Sequence, residues 1–139
     1  MPKTYIAAGQ EAGKQFYLHF RGKGPVVMLN LLRFRKAADY SQSPELEPEA
    51  VISGKAAYQL YMEQALPFLK EVGSEVLFHG AANHFLIGPS DEHWDAVLLV
   101  RHTSVEQFMA FANHSVYLAI AGHRTAALAD SRLLPITEL

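Results

Sequence analysis

No cysteine occurs among the 139 residues, which excludes disulfides, thiolate nucleophiles and cysteine-ligated zinc. Charge of one sign is not in excess either. Twelve Lys and Arg stand against fourteen Asp and Glu, so no basic field is available to attract nucleic acid, and none is expected as a partner. Long apolar runs are missing: Val97–Val100 and Leu118–Ala121 are far shorter than the roughly 20 residues of a membrane-spanning helix. Glu11, Lys14 and Arg21 interrupt any apolar stretch that could serve as a signal peptide, so the cytoplasm is the expected location. There is no internal repeat, no low-complexity tract, no G-x-S-x-G elbow and no H-E-x-x-H pair. GPVV and LIGP punctuate strands and open no phosphate-binding helix. What is present is a chain half apolar, of a length that suits one domain spanning residues 1–139, with a core that needs no metal or disulfide staple.

Hydropathy patterning divides that chain. In residues 8–22, Ala12, Phe16 and Phe20 fall four apart, which predicts a short amphipathic helix closed by Gly22 and Gly24. Val26 to Phe34 is apolar, too short for a comfortable helix, and reads as a strand buried on both faces. Residues 36–52, with two prolines, two serines and three glutamates, read as a solvated loop insertion, either functional or disordered. A helix follows from Ser53 to Gly73, its stripe formed by Ala57, Leu60, Tyr61, Gln64, Phe68 and Val72, with a kink or break expected near Leu66 because Pro67 lies inside it. Glu75–His79 and His84–Gly88 read as two strands of a hairpin, and Trp94–Thr103 as a buried strand. Ser104 can cap a helix carrying Val105, Phe108, Met109 and Ala112; a second helix runs from Ser115 to Leu128. Ser131–Ile136 is placed at a sheet edge, where Pro135 costs no ladder bond.

After the first helix this order is β-α-β-β-α-β, an α+β ferredoxin-like sandwich with an extra N-terminal helix. Apolar residues occupy both faces of the long strands. Helices cover one face only, so the other asks for a second sheet, most simply that of a second copy, giving a homodimer paired as a dimeric α+β barrel.

The ordered segments GPVVMLNLLRF (24–34), GKAAYQLYMEQALPFLKEVGSEVLFHG (54–80), LIGP (86–89), WDAVLLVRHTS (94–104), FANHSVY (111–117) and HRTAALADSRLLP (123–135) resemble the longer members of the bacterial domain-of-unknown-function family numbered 1330. The resemblance spans about residues 10–136. It implies a ferredoxin-like domain forming a dimeric α+β barrel, and no established reaction. Many relatives carry tyrosine and YPS where this chain has His102-Thr103-Ser104, so a role for that tyrosine does not carry over.

Candidate site residues fall into groups. Asn30 interrupts an apolar strand on the face of Val26 and Met28, assigned to the barrel interior, where a buried amide must find partners or lose about 1–3 kcal/mol. It either orients a ligand or is satisfied by its neighbours. Arg33 and Arg101 lie toward strand ends, where arginines either clamp a carboxylate or pair with acids such as Asp95 or Asp130. His114, Tyr117 and Arg124 share roughly an 80° arc of the last helix, a stripe suited to lining a cleft with histidine as proton carrier, or simply to facing solvent. Arg124 is expected to pair with Asp130. Tyr58 and Trp94 are candidates to rim a pocket, and His102 is a second candidate for moving a proton. The seven histidines show no metal-ligand spacing: His79 and His84 have opposite parity in a hairpin, His114 and His123 lie on opposite helix sides, and His93 sits in an acidic bend where a cation would be adventitious. No metal and no cofactor is expected.

The function these residues suggest is binding of a small molecule in a dimeric barrel, either as a cofactor-independent enzyme on an apolar or aromatic acid or as a non-enzymatic ligand-sensing or scaffolding dimer. In the first case Asn30 and Arg101 hold the polar group. A haem-handling barrel built on Asn30, Trp94 and His114 or His123 is the alternative.

Overall fold

The computed structural model describes residues 3–139. Helix α1 covers Gln10–Phe20 and ends where Gly22 and Gly24 take the left-handed backbone conformation. Strand β1 covers Val26–Phe34. A 3-10 turn at Pro44–Leu46 lies in the connection to α2, Gly54–Glu71, whose N-terminus Ser53 caps by accepting the amide hydrogen of Ala56 on its Oγ. Strands β2 (Glu75–Ala81) and β3 (Ala96–His102) follow. Ser104 caps α3, Val105–Asn113, by the same device at Gln107; then come α4 (Ser115–Ala127) and β4 (Leu128–Ile136).

The strands form one antiparallel sheet in the order β2-β3-β1-β4, so the two β-α-β halves interleave in the ferredoxin-like arrangement. The break at His114 turns the second crossover into the pair α3–α4. β4 is an edge strand, and Pro135 is tolerated there. Val26, Met28, Leu32, Ala96, Leu98 and Val100 are buried from one sheet face, and the core joins Leu32, Ala96, Leu98 and Val100 to Ala57, Tyr58, Tyr61, Phe68, Phe111 and Ile120 of the helices. The opposite face carries Val27, Leu29 and Leu31 of β1 beside Val97 and Leu99 of β3, all half-buried, with Phe78 and Leu134 exposed.

Several expectations are corrected. Helix α2 is not broken at Pro67 but continues to Glu71, because the apolar stripe beyond it (Phe68, Leu69) is buried. Residues 84–88 are not a strand: Leu86 and Ile87 are fully exposed, and β2 pairs with β3 across a fourteen-residue arm closed by the single bridge His84↔His93. Gly88 and Pro89 interrupt any ladder there. The 36–52 segment is not a free solvated loop. Tyr40 is buried and shares a 2.7 Å hydrogen bond with His123 Nδ1, while Ala38 and Asp39 donate to Ile52 and Ala126 carbonyls. Gly122 of α4 lies beneath Ser43 and Leu46, which a side chain there would strike.

The tightest junction is Gly54, where α2 starts against the end of β1 and the α4–β4 corner. Its amide donates to Arg35 O at 2.9 Å, Arg35 N donates to Ala127 O at 2.8 Å, and a Cβ would collide with both of those backbones. Helix propensity alone favours alanine over glycine by about 1 kcal/mol. We expect the collision to win, so Gly54→Ala should lower unfolding free energy by about 1–3 kcal/mol in urea denaturation. A stabilised variant would contradict this packing.

Candidate functional site

The sequence-derived candidates do not converge. Asn30 lies on the helix-covered face, opposite Leu98 and Leu133, and not on the open face where a barrel interior would form. Both its amide hydrogens are used, one to Met28 O and one to Leu98 O at 3.2 Å each, so it is satisfied by backbone. Arg33 takes the other face. Its Nε and Nη2 donate to His93 O at 3.1 and 2.6 Å, its Nη1 lies 3.8 Å from Asp130, and its guanidinium stacks 4.9 Å from the Trp94 ring. Arg132 stacks on both Trp94 and Tyr5 and bonds Asp130 at 2.7 Å. Trp94 is 2% exposed and donates to Glu92, so it plugs the end of the open face and rims no pocket.

The expected Arg124–Asp130 pair does not form. Asp130 instead accepts from the amides of Tyr5 and Ser131 and from Arg132, while Arg124 donates to Ile6 O at 2.6 Å. Together these bonds strap residues 5–6 across the start of β4. Arg101 is half-buried on the open face, in register with Glu75 and Val27. His114 is exposed and caps α4, its Nδ1 accepting from Val116 N. Tyr117 hydrogen-bonds Tyr61, hydroxyl to hydroxyl, at 2.9 Å.

His102 is buried beneath the helices, its ring against Phe108 and Phe111. Gln107 fixes the proton on this ring. Its Oε1 accepts from Thr103 N and Ser74 Oγ and its Nε2 donates to Val72 O, so the Ser74 hydroxyl hydrogen is spent on Gln107. His102 Nδ1–H must then donate to Ser74 Oγ, 2.7 Å away. Burial pushes this imidazole down to about 4, only partly opposed by the nearby Gln107 amide, and keeps it neutral. The haem combination is also dispersed: Asn30 and Trp94 lie on opposite sheet faces, His114 caps a helix and His123 is bound to Tyr40.

A cleft exists elsewhere. Between the outer flank of α2 and the ends of β2 and β3 lies a hollow of about 530 Å³, within the range of small-molecule sites. Phe34, Met62, Leu66, Ala81 and Ala96 supply apolar wall; Lys55, Gln59, Glu63, His79 and Asp95 supply polar groups. Asp95 is partly committed, since its Oδ2 accepts from Phe34 N at 2.8 Å. Tyr58 lines the cleft, is 2% exposed, and its hydroxyl has no hydrogen-bond partner among the described residues. Burial raises its pKa far above the ordinary tyrosine value, against the opposing charge of Arg124, so it remains a donor. A further hollow of about 730 Å³ continues the groove past Glu63 and Leu66 to Lys70, Ser74 and Val76, without an aromatic wall.

Of the candidates named from sequence, only Tyr58 lines the 530 Å³ cleft. The signal for the others was present on α2: Lys55, Gln59 and Glu63 repeat at four-residue spacing beside a parallel row of Tyr58, Met62 and Leu66. Such a polar row reads as solvated until the ends of β2 and β3 are placed next to it. Among the described residues no group of three or more His, Asp or Glu could hold a metal ion, and no helix is long and apolar enough to cross a membrane.

Residues 48–136 match the family model "Domain of unknown function (DUF1330)". No curated protein matches the chain. Among solved structures it is similar to the RPA0582 protein of unknown function from Rhodopseudomonas palustris, with TM-score 0.86, 34% identity, and coverage of 99% of this chain and 98% of that one. The methylated form of RPA0582 matches with the same TM-score and identity, covering 99% and 97%. A dimeric protein of unknown function and ferredoxin-like fold from Bacteroides fragilis is more distant, at TM-score 0.48 and 15% identity over 84% of this chain and 97% of that one.

Proposed function

The chain belongs to the DUF1330 family, and we propose that this member is a small-molecule-binding protein that works as a homodimer, its ligand a compact apolar or aromatic acid held in the α2–β2 cleft. The observation that carries the reading is the hollow itself: about 530 Å³ walled by Phe34, Tyr58, Met62 and Leu66, with Lys55, Gln59 and His79 in its lining. Lys55 lines the same cleft, beside Glu63 and Asp95, and makes no ion pair among the described residues, so it is the cation available to a ligand carboxylate. Asn30, Arg33, Arg101, His102 and His114 have no part in this site.

The open sheet face supports the homodimer. An antiparallel sheet with one solvated face normally carries polar residues there, whereas the two central strands here carry Val27, Leu29, Leu31, Val97 and Leu99. Four strands about 4.8 Å apart and seven residues at about 3.3 Å give a footprint near 19 by 23 Å, the scale of one side of a small dimer interface. A second copy supplies the matching patch by two-fold symmetry.

The binding claim is tested by titrating benzoate, 4-hydroxybenzoate and hexanoate into isotope-labelled protein and following amide shifts. Shifts are expected at Lys55, Tyr58, Gln59, Ala81 and Ala96. Leu66→Trp, at a 40% exposed position, should block them. Lys55→Met should weaken binding about five- to tenfold, the worth of one hydrogen bond of about 1–1.5 kcal/mol. Shifts clustered elsewhere, or none at millimolar probe, would overturn the reading.

A further inference from the structure

We propose that His84 and His93, at the base of the β2–β3 arm, form a binding site for a divalent transition-metal ion such as Zn²⁺. The two residues are direct cross-strand partners in the only isolated antiparallel bridge among the described residues. Trp94 N donates to Asn83 O at 3.1 Å on one side of the bridge, so the pair itself exchanges no backbone bonds. That is the register in which facing side chains stand closest, with Cα atoms about 4.5 Å apart. The ring centres are 5.3 Å apart and the planes are tilted by 38°. With Zn–N bonds of about 2.0–2.1 Å, each imidazole centre lies about 3.2 Å from the ion, and two of them at a tetrahedral angle lie about 5.2 Å apart. The observed spacing lets two imidazoles share one ion.

The ring nitrogens of both histidines make no hydrogen bond among the described residues, so all four are free to bind metal. The backbone that carries them is held: Ala82 N donates to Asp95 O, and Arg33 grips His93 O through two nitrogens. Asp91 lies two residues before His93 in the turn, exposed; Glu92 is engaged by Trp94 Nε1. Two imidazoles leave the remaining positions of the ion to water, an open coordination sphere of the kind that also accepts an external ligand. This site is separate from the α2–β2 cleft and stands whether or not that cleft binds an acid.

Calorimetric titration of tag-free protein with ZnCl₂ at pH 7.5 tests it. One ion per chain is expected, with a dissociation constant well below millimolar. His84→Asn and His93→Asn should each weaken binding at least tenfold, with unchanged far-ultraviolet circular dichroism. His19→Asn, at an exposed histidine of α1, should bind as the parent does. The ring proton signals of His84 and His93 should shift with the added zinc. No binding below millimolar zinc, parent-like affinity in both arm variants, or loss of binding in His19→Asn would each overturn the assignment.

Discussion

Replacing Leu99 by arginine is expected to turn a two-chain particle into a single chain without unfolding it. Leu99 occupies the centre of the open sheet face, in register with Leu29 on one side and Phe78 on the other. In an isolated subunit that position meets water, so a guanidinium there can remain solvated and the helix-side core is untouched. In a face-to-face dimer the same substitution places two like charges between packed sheets. Desolvating each costs several kcal/mol, and nothing at the centre of the face pairs with it. The dissociation constant should therefore rise by at least about a thousandfold. Light scattering at 10–100 µM should show the parent protein with the mass of two chains and Leu99→Arg with the mass of one. Leu66→Arg, on the α2 flank, should keep the dimer. A parent protein that runs as one chain, or a variant that still pairs, would refute the interface.

How far this molecule could be read from its residues depends on the range of the forces involved. Strand β1 was legible to the residue, because Gly24-Pro25 and the charges after Phe34 bracket an apolar β-rich run. The start of α2 at Ser53, the cap at Ser104, the ends of α4 and the edge position of Pro135 were legible for the same reason: each is settled by a few neighbouring side chains. The facing of β1 was not. Both of its faces are apolar, and which one is covered depends on the helices packed against it. Asn30 therefore looked like an intruder in a pocket when it is a backbone-satisfied amide under α2 and α4. The hairpin failed similarly. His84–Gly88 has strand composition, but the pairing partner of β2 is β3, fourteen residues further on, and that choice puts His84 against His93 instead of near His79. The cleft has the same origin, since Lys55 and Gln59 become site residues only when the ends of β2 and β3 come alongside α2.

Acidification from pH 7 to pH 4.5 should cost this protein a large part of its stability, with His102 as the principal cause. In the unfolded chain its imidazole titrates near 6.5; in the fold, burial against Phe108 and Phe111 lowers it to about 4. Between those values the unfolded chain binds a proton that the folded chain refuses, so stability is complete above about pH 6.5 and falls as pH drops toward 4. Below that the folded ring also takes the proton and the loss levels off. The full difference amounts to about 3–3.5 kcal/mol. His123, buried beside Tyr40, is lowered by desolvation too and adds a loss in the same direction. Asp39 is held below the ordinary carboxylate value by its hydrogen bonds to Ser41, so its contribution fades only at more acid pH and falls outside this window. Urea denaturation at half-unit pH steps measures the curve. In His102→Gln the slope between pH 6.5 and 4.5 should shrink to less than half. The variant should be the less stable protein at pH 7.5, having lost the hydrogen bond to Ser74, and the gap should close as pH falls. A variant whose curve runs parallel to that of the parent would show that the proton is taken up elsewhere, and that the His102–Ser74–Gln107 chain is not what ties this fold to neutral pH.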